Sequence, residues 1–227
     1  MSNIRFRNSR YWSNRELRKI APLLSGKVLN VSAWRDGDKE GGTYRENYFT
    51  GAASYGITNW KAEAKGFQGD LPGEIFLDLE EELPLELAGG FDVVFNHTTL
   101  EHVFEVFTAF SNLCRLSRDV VIVVVPFLQE QHAPYGDYWR FTPWAIQKLF
   151  LKSGLTPAYL NFNDGPKDAI YIFAAGARNP ETAARLGKVE GNRLDKVDQT
   201  YLGVRFMDRE PLLLKGLRAL YHAFRRR

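Results

Sequence analysis

Two short stretches of the chain concentrate side chains that can bind, orient or move a proton. The first reads Asn96-His97-Thr98-Thr99-Leu100-Glu101-His102, and the second runs from His132 through Tyr135, Asp137, Tyr138, Trp139 and Arg140. Histidine titrates near neutrality, so His102 and His132 suit a role in orienting a hydroxyl group or accepting its proton. Capping of the following helix is the alternative for His102. For a hydroxyl substrate His132 or Asp137 is the expected proton acceptor, and Arg140 either meets the substrate or pairs with Asp137 to fix the loop. Aromatic residues interleaved with polar ones suit a sugar or a similar polar acceptor, which stacks an apolar face and hydrogen-bonds at its rim. No metal centre is expected: the first stretch lacks the i, i+4 histidine pair of a helical zinc motif, and no cysteine assists. Glu80, Glu81 and Glu82 read as a solvated turn, since three successive acids cannot all face one ion.

These stretches require a scaffold. Phe91-Asp92-Val93-Val94-Phe95 has the pattern of a buried strand that ends at Asn96, and a helix is expected to begin near Glu101 and run through Leu116. Residues 120–125 form an unbroken apolar, mostly β-branched run, as in a strand covered on both faces. Strand, polar turn, helix and second strand make a β-α-β unit with a site at its mouth. Further strands are expected over residues 27–32, 53–58 and 74–79, with a helical turn over 44–49. Thr142 and Pro143 open another helix, as N-cap and first residue, which ends near Gly154. Residues 158–162 and 170–175 supply a final strand pair. Alternating strands and helices imply an α/β sheet that binds its ligand at the carboxyl ends of the strands.

The 227 residues suit one substantial core, and 44% hydrophobic with 25% charged residues is ordinary for a globular protein. The net charge of +3 is too small to argue for nucleic acid as the partner on its own. Basic residues crowd the two ends, and Ser13-Asn14-Arg15-Glu16-Leu17 is expected to cap a short helix through Ile20. After Gly176 the pattern loosens to about Glu210. Residues 211–227, from Pro211 to Arg227, then read as an amphipathic helix with Leu213, Leu217, Leu220 and Phe224 on one face and arginines beside it. That helix suits an anionic membrane surface or packing on the domain or a second subunit, a possible homo-oligomer. The expected division is a basic helical segment over 1–25, a central domain over 26–176 and an extension over 177–227. The lone Cys114 and the absence of a leader-like apolar run point to the cytoplasm, including the inner face of a membrane.

An ordered series of motifs resembles class I S-adenosylmethionine-dependent methyltransferases. It comprises Lys27-Val28-Leu29-Asn30-Val31-Ser32, Tyr55-Gly56-Ile57-Thr58-Asn59, Asp78 with Leu83-Pro84, Phe91-Asp92-Val93-Val94 and Leu100-Glu101-His102-Val103. The segments Val125-Pro126-Phe127 and Asp137-Tyr138-Trp139-Arg140-Phe141-Thr142 resemble a type 11-like subgroup associated with polysaccharide biosynthesis. The resemblance implies a Rossmann-like, mostly parallel sheet with an antiparallel final strand. It implies S-adenosylmethionine as cofactor and a small-molecule or glycan acceptor methylated on oxygen. Val31, Ser32, Ala33, Asn59, Asp78, Leu79, Asn96 and His97 are then the cofactor-binding residues. His102, His132, Asp137 and Arg140 are the catalytic ones. Two positions depart from the family pattern. Trp34 and Arg35 stand where glycines are expected after the first strand, and Asn59 replaces the ribose-binding acid. These departures keep a second expectation open, a non-catalytic binding or scaffolding partner on the same fold.

Overall fold

The structure, a computed structural model, describes residues 4–61, 66–133, 136–163 and 169–199. Seven strands form one sheet: β1 (Gly26–Val31), β2 (Ala52–Asn59), β3 (Glu74–Phe76), β4 (Phe91–His97), β5 (Ser117–Leu128), β6 (Thr156–Phe162) and β7 (Ile170–Ala177). Their order is β3-β2-β1-β4-β5-β7-β6. The first five are mutually parallel, and β7 runs antiparallel to both β5 and β6. Successive connections lead outward from β1 in one direction and from β4 in the other. The crevice between those two strands at their carboxyl ends is where such sheets bind ligands. Val31 is level with Thr58 on one side and Asn96 on the other, so the last residues of β1, β2 and β4 end together.

Among the described residues five α-helices accompany the sheet: α1 (Ile4–Ile20), α2 (Tyr44–Asn47), α3 (Val106–Leu116), α4 (Pro143–Lys152) and α5 (Pro180–Gly187). The apolar run in β5 shows why both faces are covered. Val121, Val123 and Val125 enter the core shared with Phe110 and Leu113 of α3 and Ile146 and Phe150 of α4. Val120, Ile122 and Val124 enter the opposite core, with Leu17 and Ile20 of α1 and Leu186 of α5. Full burial of side chains of this size stabilises the fold by roughly 1.5–3 kcal/mol each. Phe110 and Phe150 meet edge to face at 5.1 Å, and glycine at position 176 of β7 leaves room for the Phe150 ring. A Cβ there would lie 2.6 Å from the Phe150 ring.

The expected strands are present, with ends shifted by a few residues. The cap expected at Thr142 is present too: it accepts a hydrogen bond from the Ala145 amide at 3.2 Å ahead of Pro143. Three elements differ from the sequence reading. Ser13 and Asn14 do not cap a short helix but sit buried inside the longer α1, where the sheet end satisfies them. Their partners are His97 and the Asp38 carbonyl.

The expected helix from Glu101 to Leu116 is broken into a 3-10 turn, Leu100–His102, and α3. The Glu101 carbonyl is taken by the amides of Tyr138 (2.7 Å) and Trp139 (3.3 Å). The Glu105 amide donates to Glu80 at 3.0 Å, so the i→i+4 bond that would join the two pieces is absent. Finally, the segment after Gly176 contains α5, opened by Asn179, whose side chain accepts from the Glu181 amide at 2.8 Å. No helix among the described residues is long and apolar enough to cross a membrane. The basic helix expected over 211–227, and Tyr135, lie outside the described residues.

Candidate functional site

A cavity of about 810 Å³ opens at the carboxyl ends of β1, β2 and β4 and beside the residues that follow β3. That volume lies within the range of small-molecule and cofactor sites. Of the sequence-predicted residues, Ser32, Ala33, Asn59, Asp78, Leu79, His97, His102 and His132 line it. Val31 and Asn96 are buried behind the wall, and Asp137 and Arg140 stand outside the lining.

The first wall is the turn after β1. Ser32, Trp34 and Asp36 adopt left-handed backbone conformations, with φ of 58°, 51° and 60°. Side-chain-bearing residues rarely enter this region, so the turn takes up glycine-like geometry without glycine. Hydrogen bonds impose that conformation. The Ser32 amide donates to Thr58 Oγ1 at 3.1 Å, and the Ala33 amide to the Thr58 carbonyl at 3.1 Å.

Asn59 brackets Trp34, accepting from its amide at 2.6 Å and donating to its carbonyl at 3.0 Å. The second N–H of Asn59 goes to Glu74 at 2.6 Å. Both donors at the expected ribose position are therefore engaged, and one lone pair on Oδ1 remains. Asp36, also buried, accepts from Asn30 (2.7 Å), Tyr55 (2.6 Å) and the Arg45 amide (3.0 Å). Asp38 accepts from the amides of Glu40, Gly41 and Gly42 and from the Asn47 side chain. Burial works to raise its pKa, but those hydrogen bonds outweigh it and hold the carboxyl below its usual range. Asp78 has one oxygen on the Glu80 amide at 2.9 Å.

The second wall follows β4. Asn96 ties β4 to β1 by donating to the Val31 carbonyl at 3.0 Å, and its own Oδ1 has no hydrogen-bond partner. His97 lies 2.8 Å from Ser13 Oγ through Nε2. Burial, and then the positive charge of Arg10, push His97 well below the usual histidine range, so the ring is neutral at pH 7. Arg10 donates to Tyr44 Oη and to Thr98 Oγ1, each at 3.0 Å, and lines the cavity. In the sequence Arg10 counts only as one of the basic residues that crowd the first end of the chain. The available signal was helical spacing, because Arg10, Ser13, Asn14 and Leu17 share one face.

Glu101 is fully buried, and neither carboxylate oxygen has a hydrogen-bond partner. Burial pushes this carboxyl up to about 8. His102 Nδ1 stands 2.6 Å from the Gly136 carbonyl. A carbonyl only accepts, so Nδ1 carries the proton and Nε2 the lone pair, 3.8 Å from Glu101 Oε1. Burial lowers the His102 pKa, which disfavours the imidazolium. His132 meets the His102 ring edge to face, with centroids 5.0 Å apart.

Asp137 and Arg140 form a two-point ion pair, 2.8 Å at its Nη2–Oδ2 contact, and Asp137 also accepts the His132 amide at 2.8 Å. The Arg140 hydrogen bond, acting against burial, lowers the Asp137 carboxyl to about 2, which makes it a weak base. The loop-fixing alternative for this pair therefore describes its geometry. The spacing argument against a metal weighed the run from 96 to 102 alone, and the fold brings His132 to the same place.

No protein-family profile matches the chain, and no curated protein matches it in sequence. Solved structures do match in fold. A Haloferax volcanii protein solved in complex with a methyltransferase activator aligns with a TM-score of 0.54 at 11% identity, over 75% of this chain and 91% of that one. An S-adenosylmethionine-dependent methyltransferase of Mesorhizobium loti aligns with a TM-score of 0.51 at 12% identity, over 76% and 99%. Magnesium protoporphyrin IX methyltransferase of Synechocystis with bound SAH aligns at 0.50 and 13% identity, over 75% and 83%. Strand order, the antiparallel β7 and these alignments agree: the chain has the Rossmann-like fold of class I methyltransferases.

Proposed function

We propose that the chain binds S-adenosylmethionine in this cavity and methylates an oxygen of a polar acceptor, with saccharides as the acceptor class. The observation that carries the proposal is convergence. Residues from the ends of β1, β2 and β4 and from the segment after β3, matched to cofactor positions by the sequence resemblance, line one cavity. The residues present fit the cofactor at two of its three polar parts. Asp78 has one oxygen without a protein hydrogen bond for the adenine amino group, and the Leu79 amide would stand beside a ring nitrogen. Arg10, with five N–H donors of which two are engaged, would hold the carboxylate of the methionine moiety. The ribose is the least provided for, with only Asn59 Oδ1 to receive it.

When bound, S-adenosylmethionine supplies a methyl group activated by its sulfonium. The chain then has to orient the acceptor and remove its proton. The exposed rim residues Phe104 and Tyr138, edge to face at 5.3 Å, offer apolar faces for a sugar ring. His102 Nε2 would take the hydroxyl proton, with Nδ1 held by the Gly136 carbonyl. The committed side chain of Asn59 favours a second reading, a methyltransferase-fold protein that binds a partner without catalysis. Calorimetric titration with S-adenosylmethionine separates the two. A dissociation constant of about 100 µM or tighter, ~5.5 kcal/mol, followed by transfer of a labelled methyl group to a saccharide panel, is expected. No heat at millimolar ligand from folded protein supports the non-catalytic reading.

A further inference from the structure

We infer that Glu101, His102 and His132 form a binding site for one first-row divalent transition ion, such as zinc or manganese, at the acceptor side of the cavity. The three side chains offer ligand atoms that all lie within 4.8 Å of one another. Small side-chain rotations bring such atoms to the ~3.4 Å separation that ~2.1 Å bonds to a tetrahedral ion require. Two imidazoles and one carboxylate are the donor set of first-row divalent ions that keep open coordination positions.

The decisive observation is the Glu101 carboxylate. It is 0% exposed, and both oxygens lack a hydrogen-bond partner. A buried carboxyl without partners is costly to ionise, and a bound cation is one of the few ways to hold it in the charged form. Gln129 Oε1, on the residue whose amide nitrogen lies 3.2 Å from the His132 ring, is likewise buried without a partner.

The surroundings of both histidines match those of metal ligands. A ligand imidazole donates its other ring N–H to a carbonyl or carboxylate, which fixes the tautomer and raises its donor strength. His102 Nδ1 does so to the Gly136 carbonyl at 2.6 Å. His132 Nδ1 lies 3.2 Å from both the Glu130 carbonyl and Asp137 Oδ2. Asp137 is in turn gripped by Arg140. This chain of contacts gives Asp137 and Arg140 a positioning role toward His132. An ion held here would draw an acceptor oxygen to itself and ease loss of its proton, the role assigned above to His102 alone.

The site is tested with untagged full-length protein stripped by chelator, without S-adenosylmethionine, so the result does not depend on the methyltransferase reading. Zinc and manganese are titrated separately by calorimetry, and retained metal is counted by elemental analysis after dialysis. One ion per chain is expected for at least one of the metals, with a dissociation constant in the micromolar range or tighter. The isosteric Glu101→Gln and the loop variant His132→Ala should each weaken binding at least about tenfold. His132 is partly exposed, so its variant keeps the test valid if Glu101→Gln fails to fold. Absence of stoichiometric binding of either metal, or wild-type affinity in the folded variants, overturns the site.

Discussion

The two walls of the cavity handle buried polar groups in opposite ways. On the β1–β2 side, Asp36, Asp38 and Asn59 are all buried, and each is matched by amides or side chains of the same wall. On the side that follows β4, Glu101 is buried as deeply, yet its carboxylate oxygens have no hydrogen-bond partner. Buried polar groups are normally satisfied, because an unmatched one costs about 1–3 kcal/mol. The first wall is thus a scaffold that holds a glycine-like turn in shape. The second retains an unmet demand that a ligand can answer.

One pair of isosteric substitutions tests this contrast. Asp38→Asn keeps the shape but removes the charge that three amides and Asn47 address, and it should cost about 2 kcal/mol of stability. Glu101→Gln should alter the stability of metal-free protein by less than about 1 kcal/mol, since a carboxyl raised to about 8 is mostly uncharged at pH 7 and no hydrogen bond is lost. Denaturant midpoints at fixed m-value measure both, and equal losses would erase the distinction between the walls.

A smaller effect should come from His97, at the junction of the walls. Its folded pKa is depressed by burial and Arg10, so the unfolded chain takes up a proton first as pH falls. The contribution to stability is present above the ordinary histidine pKa of ~6.5 and is lost below it, at up to about 1.4 kcal/mol per pH unit. His97→Gln should therefore flatten the stability difference between pH 7.5 and pH 5.5. An unchanged pH dependence would show that the ring protonates alike in both states.

Much of the fold was legible because its signals are local. The apolar run of β5 reads as a doubly covered strand, and Thr142-Pro143 reads as a helix start, wherever they occur. The break between Leu100–His102 and α3 was not legible, because its causes are the amides of Tyr138 and Trp139 and the carboxylate of Glu80, which only tertiary structure delivers. The α5 helix was missed although Asn179-Pro180-Glu181 is a start signal, since few apolar residues follow it. At the site, the resemblance led to eight residues that line the cavity. It could not show that Asn59 is committed to Trp34, or that α1 carries Arg10 into the wall. The meeting of His132 with Glu101 and His102 depends on a loop closed by Asp137 and Arg140, a convergence that no spacing rule encodes.

The most direct measurement is the affinity of S-adenosylhomocysteine for the wild type, Asp78→Ala and His102→Ala, determined side by side by calorimetry. If Asp78 holds the cofactor and His102 works on the acceptor, Asp78→Ala should weaken binding about tenfold or more, the loss of one charge-assisted hydrogen bond. His102→Ala should then stay within about twofold of wild type. Equal weakening in both variants, or none in Asp78→Ala, would contradict that division of the cavity.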